Sequence, residues 1–348
     1  MPAHATAHNT LVFTLDDPGR ALARVGLDCD DAITGPRRFR RTATGWALTI
    51  PQPDLSRVEY RLVVTSRGGD TTVICDPGTT ERVATAFGDR SVALLPGYES
   101  PQWLTTDAEQ GAYTHLTHHD TAIGDLPVTV WSPAGLPPGS PAHLLVAHDG
   151  PEYDNLAHLC RYAAAAQASD TIPAFRVALM HPVHREEWYA GNADYVAAEL
   201  EAIDTVEATY ATLDGTVVMG ASLGGLCALL VTFAAQPKVG GLFVQSGSFF
   251  TPELDAQESS YPHFGQVTGA VRAVAASRHT HHPLQVGMTC GEHEENYANN
   301  LAMQQVLTGH GHHVQLRPLK DLHSYTAWRD ALEPALTSVL RSCWGARG

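Results

Sequence analysis

The 348-residue sequence predicts a doubly wound, mostly parallel α/β sheet preceded by a small β-sandwich. Three observations carry this. From about residue 113, short apolar runs alternate with stretches of helical periodicity, as expected for strands covered on both faces by helices. Residues 9–98 instead hold short alternating segments punctuated by Gly, Pro and Asp. Finally, a serine sits between an apolar strand-like run and an apolar helix-like run, in Gly220-Ala221-Ser222-Leu223-Gly224.

In the N-terminal region, residues 11–15 end at Asp16-Asp17-Pro18-Gly19, and 46–50 stop at Pro51. Residues 58–64 stop at Arg67-Gly68-Gly69, and 72–75 run into Asp76-Pro77-Gly78. Strands at this spacing predict an immunoglobulin-like sandwich over 1–98, with a supporting role. Residues 99–112 form the expected linker, which Trp103 and Leu104 would dock onto a surface. The second domain is expected over 113–348. Its strands are predicted at 128–131, 144–147, 176–180, 217–219, 241–246, 283–288 and 313–316. Its helices are predicted at 154–167, 195–210, 226–234, 295–309 and 326–341.

The formal charge of −15, from 22 Lys+Arg against 37 Asp+Glu, argues against nucleic acid or an anionic membrane as partner. Six scattered cysteines without a C-x-x-C pair suit free thiols in a reducing compartment. The first residues carry no basic segment followed by an apolar run, and the uncharged stretch 215–236 is broken by glycines. A soluble cytoplasmic protein is therefore expected. No cofactor is implied. His115, His118 and His119, or His279, His281 and His282, lack a metal-ligand motif and are expected in polar loops.

Gly220-Ala221-Ser222-Leu223-Gly224 is a G-x-S-x-G pentapeptide. A serine between strand and helix must occupy a tight, strained turn, and glycines two residues to either side leave room for it. The hydroxyl then lies at the carboxyl edge of the sheet and at a helix N-terminus, where negative charge is favoured. In an α/β-hydrolase the order along the chain is nucleophile, acid, histidine. The loop after 283–288 offers Glu292, Glu294 and Glu295 as acids, and the loop after 313–316 offers His323 as base. The oxyanion donors are expected to be the N–H of Leu223 and one from the loop after 144–147. Pro151 has no N–H, so that second donor is Gly150 or Glu152.

Four blocks of sequence resemble the enterochelin (enterobactin) esterase family, within the esterase-D-like α/β-hydrolases. They are His148-Asp149-Gly150; His184-Arg185 with Asn192-Ala193-Asp194-Tyr195; Gly220-x-Ser222-x-Gly224-Gly225 with Gln245-Ser246-Gly247-Ser248-Phe249; and His323 with Trp328-Arg329. The resemblance covers roughly residues 115–340, and more weakly the preceding sandwich. It implies a Ser–His–acid mechanism on esters, and a small-molecule substrate of the siderophore trilactone type. By position it makes Ser222 the nucleophile, His323 the base and Glu294 the acid, with Glu295 next. It puts Arg185 on the substrate side, with Tyr153, Trp188 and Asn192 as further substrate-binding candidates. Two departures stand out. The lead into the histidine is Lys320-Asp321-Leu322 where the family has glycines, and the net charge opposes a strongly anionic ferric catecholate unless Arg185, Arg37, Arg38, Arg40 and Arg41 form a local basic patch. An acyltransferase using the same triad, or a non-catalytic binding protein on the same scaffold, would share these residues.

Overall fold

The structure, a computed structural model, describes residues 3–5, 9–170, 172–235, 237–277 and 282–345. By their contacts they fall into two units, residues 1–100 with 320–324, and residues 101–319 with 325–348.

Among the described residues, the first unit is built from nine strands. β1 (His4–Ala5), β2 (Thr10–Asp16), β4 (Arg40–Arg41) and β5 (Gly45–Pro51) form an antiparallel sheet in the order β1-β2-β5-β4. β3 (Leu22–Cys29), β6 (Arg57–Ser66), β8 (Arg82–Val83) and β9 (Arg90–Leu94) form a second in the order β3-β6-β9-β8, and β7 (Thr71–Ile74) also pairs with β6. The apolar residues alternate along the strands, so that one side of each sheet feeds a common core. Leu11, Phe13, Leu15, Leu48 and Ile50 come from the first sheet, and Val25, Leu27, Val58, Tyr60 and Leu62 from the second. Phe13 meets Tyr60 edge-to-face, with ring centroids 4.9 Å apart.

The second unit is organised on an eight-stranded sheet of β10 (Ala112–Asp120), β11 (Gly124–Ser132), β12 (His143–Ala147), β13 (Phe175–Met180), β14 (Thr216–Ala221), β15 (Val239–Gln245), β16 (Gln285–Gly291) and β17 (His313–Leu319). Its order is β10-β11-β13-β12-β14-β15-β16-β17, and β11 alone runs antiparallel to both of its neighbours. The central strands are buried residue after residue, as the continuous apolar runs predict. The strand order reverses between β12 and β14, which opens a crevice at their carboxyl ends.

The helices are α1 (Gly150–Ala157), α2 (Leu159–Ala168), α3 (Arg185–Tyr189), α4 (Ala193–Thr209), α5 (Leu223–Ala234), α6 (Phe264–Ala276), α7 (Tyr297–Gly309), α8 (Tyr325–Asp330) and α9 (Thr337–Trp344). None is long and apolar enough to cross a membrane. Several differ from the sequence expectation, among them α3, which it did not assign. The helix predicted at 154–167 is two, because His158 adopts a left-handed backbone with φ 54°. The one predicted at 326–341 is broken around Glu333-Pro334, where Glu333 takes an extended conformation. The expectation assigned no element between 246 and 283, where α6 buries Val267, Val271 and Val274 at helical spacing. His115, His118 and His119 lie on β10 instead of in a loop, while His279 and His281 lie outside the described residues.

Truncating Phe13 to alanine removes a fully buried ring from the sandwich core. It should lower stability by about 3–5 kcal/mol, read as an earlier denaturant midpoint in urea unfolding followed by circular dichroism.

Candidate active site

Ser222 joins β14 to α5 with φ 54° and ψ −127°, a combination that costs a side-chain-bearing residue on the order of 1–3 kcal/mol. Such a backbone persists only when its surroundings over-determine it. Here the Ser222 N–H donates to the Gln245 carbonyl at 2.9 Å, and the Ser222 carbonyl accepts from Ser248 N–H at 2.9 Å and Gly225 N–H at 3.0 Å. The flanking glycine is equally constrained. A Cβ on Gly220 would lie 2.2 Å from the Gly224 carbonyl oxygen, so the turn closes only with hydrogen there. The Ser222 side chain is partly exposed, and its hydroxyl lies 3.4 Å from that of Ser248. Leu223 is the first residue of α5, so its N–H has no acceptor within the helix.

Across the crevice, β12 leads into His148-Asp149-Gly150. Asp149 is left-handed at φ 50°, and Gly150 opens α1. A Cβ on Gly150 would come within 2.5 Å of Leu179, so glycine is required for this close approach. The loop touches the serine turn directly, since a Cβ on Gly224 would meet the Asp149 carboxylate at 3.0 Å and His148 at 3.3 Å. Both donor segments, Leu223 and Gly150–Glu152, thus open at the carboxyl edge on either side of the switch point. Glu152 is half-buried with one oxygen lacking a hydrogen-bond partner among the described residues, and burial raises its pKa.

At the end of β16, Glu294 is half-buried, while Glu292 and Glu295 are exposed. Glu294 Oε1 accepts from Ser246 Oγ at 2.9 Å and from Gly291 N–H at 2.8 Å. Ser246 in turn accepts from Trp328 Nε1 at 3.1 Å. A Trp–Ser–Glu chain therefore fixes the carboxylate, an arrangement the sequence did not suggest although both Ser246 and Trp328 lie in the blocks singled out there. The surrounding 245–248 turn is clamped throughout. Gln245 is held by Tyr153 Oη at 3.0 Å and Thr289 at 3.1 Å, and Asn300 bonds both backbone groups of Gly247. His323 is exposed and belongs, with residues 320–324, to the first unit.

The expected substrate-side residues are placed differently from one another. Arg185 forms a two-pronged ion pair with Asp149, Nε–Oδ1 and Nη2–Oδ2 both 2.8 Å, and reaches Glu186 at 3.2 Å. Its charge is thereby compensated within the loop layer. Tyr153 is fully buried against Gln245, and Trp188 is buried and stacked on Tyr195 at 5.0 Å. Asn192 caps α4, accepting from Asp194 N–H at 2.9 Å and Tyr195 N–H at 3.1 Å. These three shape the walls from behind. In the first unit, Arg41 is likewise occupied, by Asp17 at 3.4 Å and the face of Trp46.

Sequence reasoning also missed a fully buried pair beneath the loop at 148–152. His148 Nδ1 donates to the Met219 carbonyl at 3.0 Å, and its Nε2 lies 3.0 Å from Glu199. Burial alone would depress the imidazole pKa, but the Glu199 carboxylate outweighs it and the net shift is upward. His148, Glu199 and Cys227 approach one another closely enough to hold a metal, as do His118, Asp120 and Glu201. The first group is explained by the His–Glu hydrogen bond; in the second, His118 and Asp120 are half-buried and Glu201 is exposed.

This strand order, with a strained serine between the fifth strand of the sheet and the following helix, defines an α/β-hydrolase. The Esterase family ("Putative esterase") matches residues 122–339, and the chain belongs to that family. It is 32% identical over 126 residues to the iron(III) enterobactin esterase of Dickeya dadantii (strain 3937), an alignment spanning 34% of this chain and 28% of that relative. Its fold is similar to that of the enterobactin esterase from Shigella flexneri solved in the presence of enterobactin, with a TM-score of 0.76 at 19% identity over 96% of this chain and 92% of that one. The ferric enterobactin esterase of Salmonella typhimurium gives 0.74 at 19% over 98% and 96%. The S-formylglutathione hydrolase of Staphylococcus aureus gives 0.52 at 18%, covering 67% of this chain and 100% of the other.

Two outcomes follow from the geometry. Gly220→Ala should destabilise the second unit by roughly 3 kcal/mol and abolish any activity that depends on Ser222, both measurable on purified protein. The His148 pKa is raised above the unfolded value of about 6.5, so its stabilisation is fully present below that pH and fades as pH rises through the folded value. A His148→Asn/Glu199→Gln variant should therefore trail the native protein in melting temperature most at acid pH, with the gap narrowing as pH rises.

Proposed function

We propose that the protein is a serine esterase in which Ser222 is the nucleophile, His323 the base and Glu294 the orienting acid. The observation that carries the proposal is the over-determined strained backbone of Ser222, for which exposing a hydroxyl at a helix N-terminus is a sufficient reason. His323 is assigned by chain order, directly after the carboxyl end of β17. Glu294 is favoured over Glu292 and Glu295 because it alone is anchored by Ser246 and Gly291.

In the reaction, Ser222 Oγ attacks the ester carbonyl carbon as His323 takes its proton. The carbonyl oxygen becomes an oxyanion facing the N–H of Leu223 and that of Gly150 or Glu152. The C–O bond then breaks, the proton passes from His323 to the departing alcohol, and an acyl-Ser222 remains. Water, deprotonated by the same histidine, attacks the acyl carbon and releases the acid.

The relatives named above support an ester of the catecholate siderophore type as substrate, and the free cysteines suit a cytoplasmic setting. The compensated Arg185 and the net charge of −15 favour the iron-free ester over its strongly anionic ferric complex.

Ser222→Ala and His323→Ala should each lower kcat on an aryl ester by about 10⁴-fold or more, and Glu294→Gln by about 10²–10⁴-fold. Labelling by a fluorophosphonate should disappear in Ser222→Ala, and persistence of both labelling and turnover would refute the assignment. In a hydrolysis panel the iron-free trilactone should show the higher kcat/KM, and a preference for the ferric form would reverse the electrostatic reading.

A further inference from the structure

We infer that Ser248 is a further catalytic residue, its hydroxyl donating a hydrogen bond to Ser222 Oγ as charge develops there. The inference rests on Ser222 being the nucleophile and adds one group to that reading.

The chain leaves β15 through Ser246, left-handed at φ 47°, and Gly247, where a Cβ would lie 2.5 Å from the Phe249 ring. This sharp course brings Ser248 back against the serine turn. Asn300 holds it there, its Oδ1 accepting from Gly247 N–H at 3.1 Å and its Nδ2 donating to the Gly247 carbonyl at 2.8 Å. Ser248 N–H then donates to the Ser222 carbonyl at 2.9 Å. That backbone bond needs no particular side chain, and alanine would make it equally well. Yet residue 248 carries a hydroxyl while being only 3% exposed. A buried hydroxyl is costly unless it finds a partner. Among the described residues it has a single hydrogen-bonding partner, Ser222 Oγ, 3.4 Å away.

Only one direction of this contact helps the reaction. A serine hydroxyl has one proton and two lone pairs. During attack Ser222 gives its proton to the general base and an electron pair to the carbonyl carbon. The lone pairs that remain on Oγ accept from Ser248, which keeps its own proton throughout. In the second half the bond from the acyl carbon to Oγ breaks and its electron pair returns to Oγ. The same donor stabilises that pair until the base hands the proton back. Were Ser222 the donor to Ser248, its proton would be turned away from the base. A separation of 3.4 Å exceeds that of a settled O–H···O bond, and catalytic contacts commonly tighten only in the substrate complex. The donor therefore counts for more in the transition state than at rest, the condition for raising kcat.

The test uses the full chain and p-nitrophenyl acetate, with folding checked by circular dichroism. Ser248→Ala should lower kcat by about 10–100-fold, the worth of a donor to a charged oxygen, while KM stays within about twofold. The burst of acyl-enzyme formation and the later turnover should both slow, because Oγ is the attacking atom in one and the leaving atom in the other. Ser248→Thr, which keeps the hydroxyl, should retain more activity than Ser248→Cys, which is close to serine in size but a weak donor. A purely structural role predicts the reverse ranking. A folded Ser248→Ala with native kcat overturns the inference, and so does a rise in kcat, which would mean that Ser222 is the donor. Ser222→Ala separates the two levels. If it is inactive while Ser248→Ala is fully active, only the role of Ser248 falls; if it still turns over the ester, the nucleophile assignment falls and the inference with it.

Discussion

The backbone of Ser222 is the constraint on which the rest of the second unit depends. A serine at φ 54° and ψ −127° is held there by a carbonyl from the end of β15 and an N–H three residues further along that same connection. The 245–248 connection that supplies them is in turn fixed by Tyr153, Thr289, Asn296 and Asn300, which come from three further segments of chain. The strain stored at the turn is offset by a polar interior whose hydrogen bonds are almost fully made, the condition under which buried polar networks rigidify a site.

The crevice has the same character on its other side. Asp149 occupies a left-handed backbone position and holds Arg185 by two bonds, and His148 beneath it is tied both to the strand leading into Ser222 and to Glu199 on α4. The loop at 148–150 is therefore tied, through the Met219 carbonyl, to the strand that leads into the serine turn. Motion of one relative to the other would break buried hydrogen bonds, which suits a site that must present donors at fixed distances to a developing charge.

Much of this was legible in the sequence, for reasons that are local. The strand–turn–helix around Ser222 is encoded in consecutive residues, and the alternation of apolar runs gave the order of β12 to β17. The misses are non-local. Nothing near Arg185 identifies Asp149, 36 residues earlier, as its partner, and Tyr153 and Trp188 looked like substrate contacts because their burial depends on distant strands. Helix ends also escaped: a left-handed histidine at 158 carries no composition signal, and α6 was hidden by glycines at 265 and 269 within its apolar spacing. The Gln245-Ser246-Gly247-Ser248 block stood out only through family resemblance. Its function as a clamp on Ser222 and an anchor for Glu294 needed the three-dimensional arrangement.

The most direct measurement is rapid mixing of the protein with p-nitrophenyl acetate, followed by acid quenching and mass analysis of the digested chain. The account predicts a burst of nitrophenolate approaching one equivalent and a single acetyl adduct on the peptide that contains Ser222. A linear release with no adduct, or an adduct on another residue, would contradict it.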